Sequence, residues 1–120
     1  MEFRDNKAIY LQIAEFICER ILLKEWAVGD KISSVRELAV QLEVNPNTVA
    51  RTVEFLQQKD IIFTKRGMGY FVADEAVEKV IAFRKDDFLQ NDLPLFFKNI
   101  QLLGIDFEEL YKRFEEFKEK

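Results

Sequence analysis

Hydrophobic residues recur every three or four positions near the start of the chain, which is the spacing of an amphipathic helix. The apolar stripe consists of Tyr10, Ile13, Ala14, Ile17, Cys18, Ile21 and Leu22. This pattern predicts a helix from Ala8 to Glu25 with Cys18 in its buried face. Gly29-Asp30 then indicates a turn, and Lys31-Ile32 a short strand.

Two helix starts follow within the stretch SSVRELAVQLEVNPNTVARTVEFLQ, residues 33–57. Ser34 and Glu37 have the spacing of a capping box, in which each side chain accepts a hydrogen bond from the other residue's N–H. Asn45 is a favoured N-cap residue, and Pro46 is tolerated at the first helical position. Because one helix ends and the next begins within about three residues, the stretch predicts a helix-turn-helix.

The second of these helices has two different faces at 100° per residue. One face is aliphatic and carries Val49, Val53 and Leu56. The opposite face is short or polar and carries Asn47, Ala50, Arg51 and Glu54. A helix that is buried on one side and polar on the other suits the DNA major groove, which is about 12 Å wide.

A β-hairpin is predicted directly after the second helix. Residues 61–65 and 70–72 are β-branched and aromatic, and RGMG between them supplies two glycines for a tight turn. A helix-turn-helix followed by a hairpin is a winged helix. Lys65 and Arg66 precede Gly67 at the hairpin tip, so cations lie where the backbone can approach a phosphate closely.

The character of the chain changes after residue 74, where two or three acidic helices are predicted. One helix runs from Glu75 to about Gln90. Asn91 or Asp92 then caps a further helix with Pro94 in its first turn, or a single long helix continues and is kinked at Pro94. Both alternatives agree with the pattern.

The last helix is strongly one-sided. Gly104 ends the preceding helix, and Asp106 with Glu109 forms a variant of the capping box. Seven of the 12 phenylalanines lie after residue 82, in a tail of fewer than 50 residues that buries them poorly alone. We therefore expect the tail to pack against a second copy, the alternative being that it folds back on the winged helix. The expected dimer surface comprises Phe96, Phe97, Phe107, Leu110, Tyr111, Phe114 and Phe117.

Charge separates the same two regions of this 120-residue chain, whose net charge is −4. Residues 1–73 carry ten basic and ten acidic side chains, whereas residues 74–120 carry eight basic and twelve acidic ones. The predicted domains are residues 1–74, a DNA-binding domain, and residues 75–120, a helical dimerisation tail. A neutral first domain neither supports nor excludes DNA, because the local placement of cations decides binding.

Composition argues against an enzyme. The chain has no histidine, which removes the commonest general base and zinc ligand, and it shows no nucleophile-plus-base spacing. Its single cysteine excludes an internal disulfide and fits a reducing cytoplasm. No secretory h-region and no apolar run of roughly 20 residues is present. We predict a cytoplasmic, non-enzymatic protein that uses no cofactor, metal or membrane.

The stretch KISSVRELAVQLEVNPNTVARTVEFLQQKDIIFTKRGMGYFV resembles the DNA-binding domain of GntR-family bacterial transcription regulators. The family pattern runs roughly L-P-S-x-R-E-L-A, then G-V-N-P-N-T-V-x-R, then R-G-x-G-T-F-V. The resemblance covers Ala8 to Val72 with three motifs in order. The short helical tail further resembles the YtrA subgroup. Four positions depart from the pattern: the family usually has proline at Ser33, often glycine at Glu43 and Asp60, and threonine at Tyr70. Ala50 occupies a position where some members carry an arginine that contacts DNA.

The resemblance implies a homodimeric repressor bound to a near-palindromic double-stranded DNA operator. The positions that match the family's DNA contacts are Ser34 and Arg36 in the first motif helix, Asn47, Thr48 and Arg51 in the recognition helix, and Arg66 and Gly67 in the wing. Glu54 lies on the outward face and would repel phosphate unless it accepts from a cytosine amino group.

Two questions stay open from the sequence. A winged helix also serves as a protein-interaction module without specific DNA binding, and a net-neutral domain permits this alternative. The tail is too short for a separate effector-binding domain of the usual size. A small-molecule effector between the aromatic helices and a plain hydrophobic dimer core both fit the pattern.

Overall fold

The computed structural model describes Phe3 and residues 7–120, so the expectation about a secretory segment lies partly outside the described residues. The chain is mainly helical, with the elements α1 Ile9–Leu22, α2 Val35–Leu42, α3 Pro46–Gln58, β1 Ile62–Lys65, β2 Gly69–Val72, α4 Ala76–Asp87, α5 Leu93–Leu103 and α6 Phe107–Lys118. Three helices followed by a two-stranded antiparallel hairpin form a winged helix-turn-helix, which confirms the predicted fold class. Among the described helices, none combines the length and apolar character needed to cross a membrane.

Two compact units make up the chain, the first ending at Arg84 and the second spanning Lys85–Lys120. The first unit has one apolar core to which α1, α2, α3, the hairpin and the start of α4 all contribute. Ala76 and Val80 of α4 are fully buried in this core, so the first unit continues beyond residue 74.

Helix α1 supplies the longest buried stripe, as its periodicity predicts. Cys18 lies in that stripe with no exposed surface, and burial raises the pKa of its thiol to about 12. The helix ends at Leu22, earlier than the predicted Glu25. Lys24 adopts the left-handed φ of 65°, which a continuing α-helix does not allow, and the chain turns there.

The two predicted helix starts of the helix-turn-helix are both present. Ser34 Oγ accepts from Glu37 N at 3.1 Å, and Glu37 Oε1 accepts from Ser34 N at 3.0 Å, which completes the capping box. Asn45 Oδ1 accepts from Asn47 N at 2.8 Å and begins α3. Between these caps, Glu43 ends α2 in the left-handed conformation, with φ 55° and ψ 48°.

The wing pairs Ile62 with Val72 at its base and Lys65 with Gly69 at its tip. Met68 N donates to Lys65 O at 2.9 Å and closes the turn. Gly67 lies at the third position of that turn with φ 76°, a conformation that favours glycine. The predicted short strand at Lys31 forms a single bridge to Phe71 beside the wing.

Helices α4 and α5 are continuous, because residues 88–92 form a turn of π-helix between them. Of the two alternatives at Pro94, the structure has the continuing helix and not the cap at Asn91 or Asp92, since Asp92 is helical with φ −87° and ψ −40°. Proline lacks an N–H, and its ring clashes with the carbonyl four residues earlier. A wider turn just before Pro94 accommodates both effects without ending the helix.

Helix α6 begins where predicted but without the predicted side-chain cap. Gly104 ends α5 at φ 65°, and Asp106 has the extended backbone of an N-cap residue. Within the described chain, however, the Asp106 carboxylate makes no capping hydrogen bond. The D-x-x-E spacing thus located the helix start correctly and assigned the wrong interaction to it.

Substituting Glu43 by glycine should raise the free energy of unfolding by about 1 kcal/mol. A left-handed residue with a Cβ costs roughly 1–2 kcal/mol, which exceeds the extra unfolded-state entropy of glycine. Urea denaturation of the full chain measures the difference.

The matched control is Gln41→Gly, two residues earlier on the exposed side of α2. This change should lower the free energy of unfolding by about 0.5 kcal/mol, since glycine weakens a helix interior. Equal losses in the two variants would contradict the proposed strain at Glu43.

Candidate nucleic-acid interface

Helix α3 presents the two faces that its sequence predicts. Val49, Val53 and Leu56 are at most 1% exposed, whereas Asn47, Ala50, Arg51 and Glu54 are all exposed. The buried face includes one polar residue, Thr52, whose hydroxyl donates to the Tyr10 carbonyl at 2.8 Å. The helix is therefore held against α1 on one side and open to a partner on the other.

Three of the predicted DNA contacts lie together on α3. Asn47, Thr48 and Arg51 line one surface cleft of about 330 Å³ together with Ala8, Ile9 and Tyr10 of the α1 region. Asn47 and Arg51 are exposed, and Thr48 is half-buried. The start of α3 thus groups an amide, a hydroxyl and a guanidinium, all of which can hydrogen-bond to base edges or phosphates.

Arg51 stacks on an aromatic ring from α1. Its guanidinium carbon lies 3.9 Å from the centroid of the Tyr10 ring, well within the range of a cation–π interaction. The sequence pattern placed Tyr10 in the apolar stripe of α1 and missed this contact. The only sequence signal was a polar-tipped ring in an otherwise aliphatic stripe, and that signal does not identify Arg51 as its partner.

Ser34 and Arg36 lie at the start of α2 and line a separate shallow cleft with Glu37, Val40 and Gln41. Ser34 is half-buried and serves as the N-cap, whereas Arg36 is exposed. The hydrogen bonds from Ser34 lower the pKa of the Glu37 carboxyl.

Arg66 and Gly67 are exposed at the tip of the wing. Lys65 beside them is held over Phe71, with its Nζ 4.6 Å from the ring centroid. Gln57 near the end of α3 donates to the hydroxyl of Thr64 in β1, which ties the wing to the recognition helix. The sequence carries no pattern that predicts this last contact, because it joins a helix to a strand.

The cations of this surface are not neutralised within the protein. Ion pairs in the part of the chain that the structure describes use Lys7, Arg20, Lys79, Arg113 and Lys118. Arg36, Arg51 and Arg66 take part in none of them. The first unit is close to neutral as a whole, but its acids are partly paired elsewhere, so these arginines remain available to a polyanion.

A capped helix-turn-helix, an open face on the second helix and a basic wing define the winged-helix class of DNA-binding proteins. Comparison with known proteins gives the same class. The model of the bacterial regulatory proteins of the gntR family matches residues 9–72. The chain belongs to the GntR family, and it is a DNA-binding transcription regulator.

Several relatives match almost the whole of this chain, including the helical tail. The HTH-type transcriptional regulator YhcF of Bacillus subtilis is 40% identical over 118 residues, covering 98% of this chain and 96% of YhcF. The HTH-type transcriptional repressor YtrA of the same organism is 31% identical over 113 residues, covering 94% and 86%. A GntR family transcriptional regulator from Listeria monocytogenes has a similar solved structure, with a TM-score of 0.74 at 34% identity over 95% of this chain and 98% of that one. These matches confirm the predicted resemblance to the YtrA subgroup.

Two substitutions at Ser34 separate its capping role from contact with DNA. Ser34→Ala should lower the free energy of unfolding by about 1 kcal/mol, whereas Ser34→Asp should leave it nearly unchanged, since aspartate is an equally good N-cap. If the Ser34 oxygen lies near a phosphate, the carboxylate of Ser34→Asp repels DNA.

We therefore expect Ser34→Asp to be the more stable variant and the weaker DNA binder. Urea denaturation and a low-salt mobility shift measure the two properties. Stronger DNA binding by Ser34→Asp than by Ser34→Ala would contradict the hypothesis that the Ser34 oxygen lies near a DNA phosphate.

Proposed function

We propose that this chain is a sequence-specific repressor that binds a near-palindromic operator as a homodimer. The observation that carries the proposal is the outward face of α3, where Asn47, Thr48 and Arg51 share one cleft. Arginine recognises guanine through two hydrogen bonds, and asparagine recognises adenine in the same way. The similarity to the repressor YtrA supports repression as the regulatory outcome.

Contacts to the DNA backbone complete the proposed interface. Arg36 at the start of α2 and Arg66 with Gly67 at the wing tip are exposed and bear no ion pair among the described residues. We assign Arg36 to phosphates at the groove edge and the wing tip to the minor groove. Contacts of this type fix the register of α3 on the duplex, and the bases of the major groove then supply specificity.

The proposed dimer is based on the second unit. Across residues 85–120 only Ile100 is buried, although this segment carries six of the chain's 12 phenylalanines. The predicted dimer residues Phe96, Phe97, Phe107, Tyr111, Phe114 and Phe117 are 45–70% exposed, and Leu110 is half-buried. Apolar surface of this extent on a small unit indicates a protein interface.

A groove between α5 and α6 gives this surface its shape. It has a volume of about 810 Å³, and its apolar lining includes Phe97, Ile100, Ile105 and Phe107. Phe97 packs edge-on against Phe107 at 6.1 Å, so the two helices already form one aromatic cluster. A second copy that covers this cluster would place two recognition helices on one DNA duplex, with half-sites about 34 Å apart.

Selection of bound fragments from random duplex DNA should enrich a two-fold symmetric sequence for the full chain. Arg51→Ala should weaken binding to that sequence by about 1–3 kcal/mol and relax the preference at one base pair of each half-site, because a bidentate contact is lost. Quantitative mobility shifts at fixed salt measure both effects.

The control is Arg113→Ala, which removes an exposed arginine from α6 and should leave operator affinity unchanged. Failure to enrich any sequence would contradict the proposal and favour the protein-interaction alternative. Unaltered operator affinity in Arg51→Ala would show that Arg51 does not contact a base.

Sedimentation of the full chain at micromolar concentration should show a dimer. Tyr111→Glu places a charge on the exposed aromatic face of α6 and should yield monomers, because burying an unpaired carboxylate is costly. The control Lys112→Glu introduces glutamate at the next position, on the polar face of α6, and should leave the dimer intact.

A monomeric unsubstituted protein would contradict the role proposed for the tail. Equal dissociation by both variants would show that net charge, and not the aromatic face, controls assembly.

A further inference from the structure

We propose that Tyr10 is a specificity-determining positioning residue: its ring fixes the Arg51 guanidinium in the orientation that reads the operator. The inference rests on the proposed function of Arg51. Tyr10 belongs to α1, outside the helix-turn-helix, and the proposal gives α1 a part in DNA recognition beyond the core.

The contact between the two side chains is close. The guanidinium carbon of Arg51 lies 3.9 Å from the Tyr10 ring centroid, the shortest cation–ring distance among the described residues. Tyr10 and Arg51 also line two neighbouring clefts, one with Asn47 and Thr48 and the other with Glu54. The stacked pair therefore separates the polar start of α3 from its acidic outward residue.

Tyr10 is itself held in place by α3. Its ring packs edge-on against Phe55 with centroids 6.0 Å apart, and its carbonyl accepts the hydroxyl proton of the buried Thr52 at 2.8 Å. Phe55 in turn packs against Phe83 of α4 at 5.4 Å. The platform beneath Arg51 is thus fixed by both a ring contact and a backbone hydrogen bond.

A fixed platform matters because an exposed arginine otherwise samples many rotamers, and this freedom is lost when it reads a base. Stacking on a ring leaves the N–H groups of the guanidinium plane available for hydrogen bonds. Within the described residues Arg51 has no carboxylate partner, so these donors are not already used. The ring thus orders the guanidinium and leaves its N–H donors unused. An ion pair to Glu54 would occupy those donors.

The test is a comparison of Tyr10→Phe and Tyr10→Leu in the full chain. The phenylalanine variant keeps the ring and loses the hydroxyl, whereas the leucine variant loses the ring. Tyr10→Leu should reduce the ratio of operator to random-DNA affinity by about tenfold, and Tyr10→Phe should retain it, given the strength of a cation–π contact that becomes desolvated. Thermal unfolding of each variant, measured alongside, identifies any loss of fold.

The same substitutions in an Arg51→Ala background separate positioning from a general structural role. If Tyr10 acts through Arg51, Tyr10→Leu causes no further loss of operator preference in that background. A further tenfold loss there would overturn the proposal. An equal loss in Tyr10→Phe and Tyr10→Leu would also overturn it, because the hydroxyl and not the ring would then be responsible.

Failure of the underlying function has a different signature. If the unsubstituted protein shows no operator preference, the proposed sequence-specific binding is wrong. A different result would contradict only the role of Tyr10. In that case the unsubstituted protein prefers its operator and Arg51→Ala loses that preference, but Tyr10→Leu and Tyr10→Phe have the same operator preference.

Discussion

Helix α3 packs against α1 through residues that are almost completely removed from solvent, among them Val49, Thr52 and Val53. Burial of one side of a helix decides which residues its other side presents, because the helix cannot rotate without exposing its apolar stripe. The hydrogen bond from Thr52 to the Tyr10 carbonyl adds a directional restraint to this packing. The outward position of Arg51, and therefore the proposed recognition of DNA, depends on it.

A first unit that is close to neutral is compatible with DNA binding because charge is distributed unevenly at short range. Lys7, Arg20 and Lys79 pair with acids of the first unit, whereas Arg36 and Arg51 form no ion pair among the described residues. Aromatic rings, and not carboxylates, hold Arg51 on α3 and Lys65 in the wing. A ring orders a cation while leaving its hydrogen-bond donors and its full charge for a phosphate or a base.

Local rules predicted most of the fold. Capping at Ser34 and Asn45 and the tight turn of the hairpin involve residues within a few positions of one another, and the structure has all three. Such rules were less decisive in the tail. At Pro94 they left a capped break and a continuous helix both open, and a π-helical turn keeps the chain helical there. At Asp106 they predicted a side-chain cap, but α6 begins there without one. Both outcomes depend on backbone geometry that spacing does not encode.

The sequence by itself determined the winged helix, the family and the set of outward residues on α3, since periodicity and caps are properties of neighbouring residues. It also identified Glu43 as a position that often carries glycine, and the left-handed backbone there supplies the reason. Only the tertiary structure decided that Tyr10 meets Arg51 and Thr52, because these residues are more than 40 positions apart in the chain. Such contacts arise when two helices pack, and their geometry follows from the shared core.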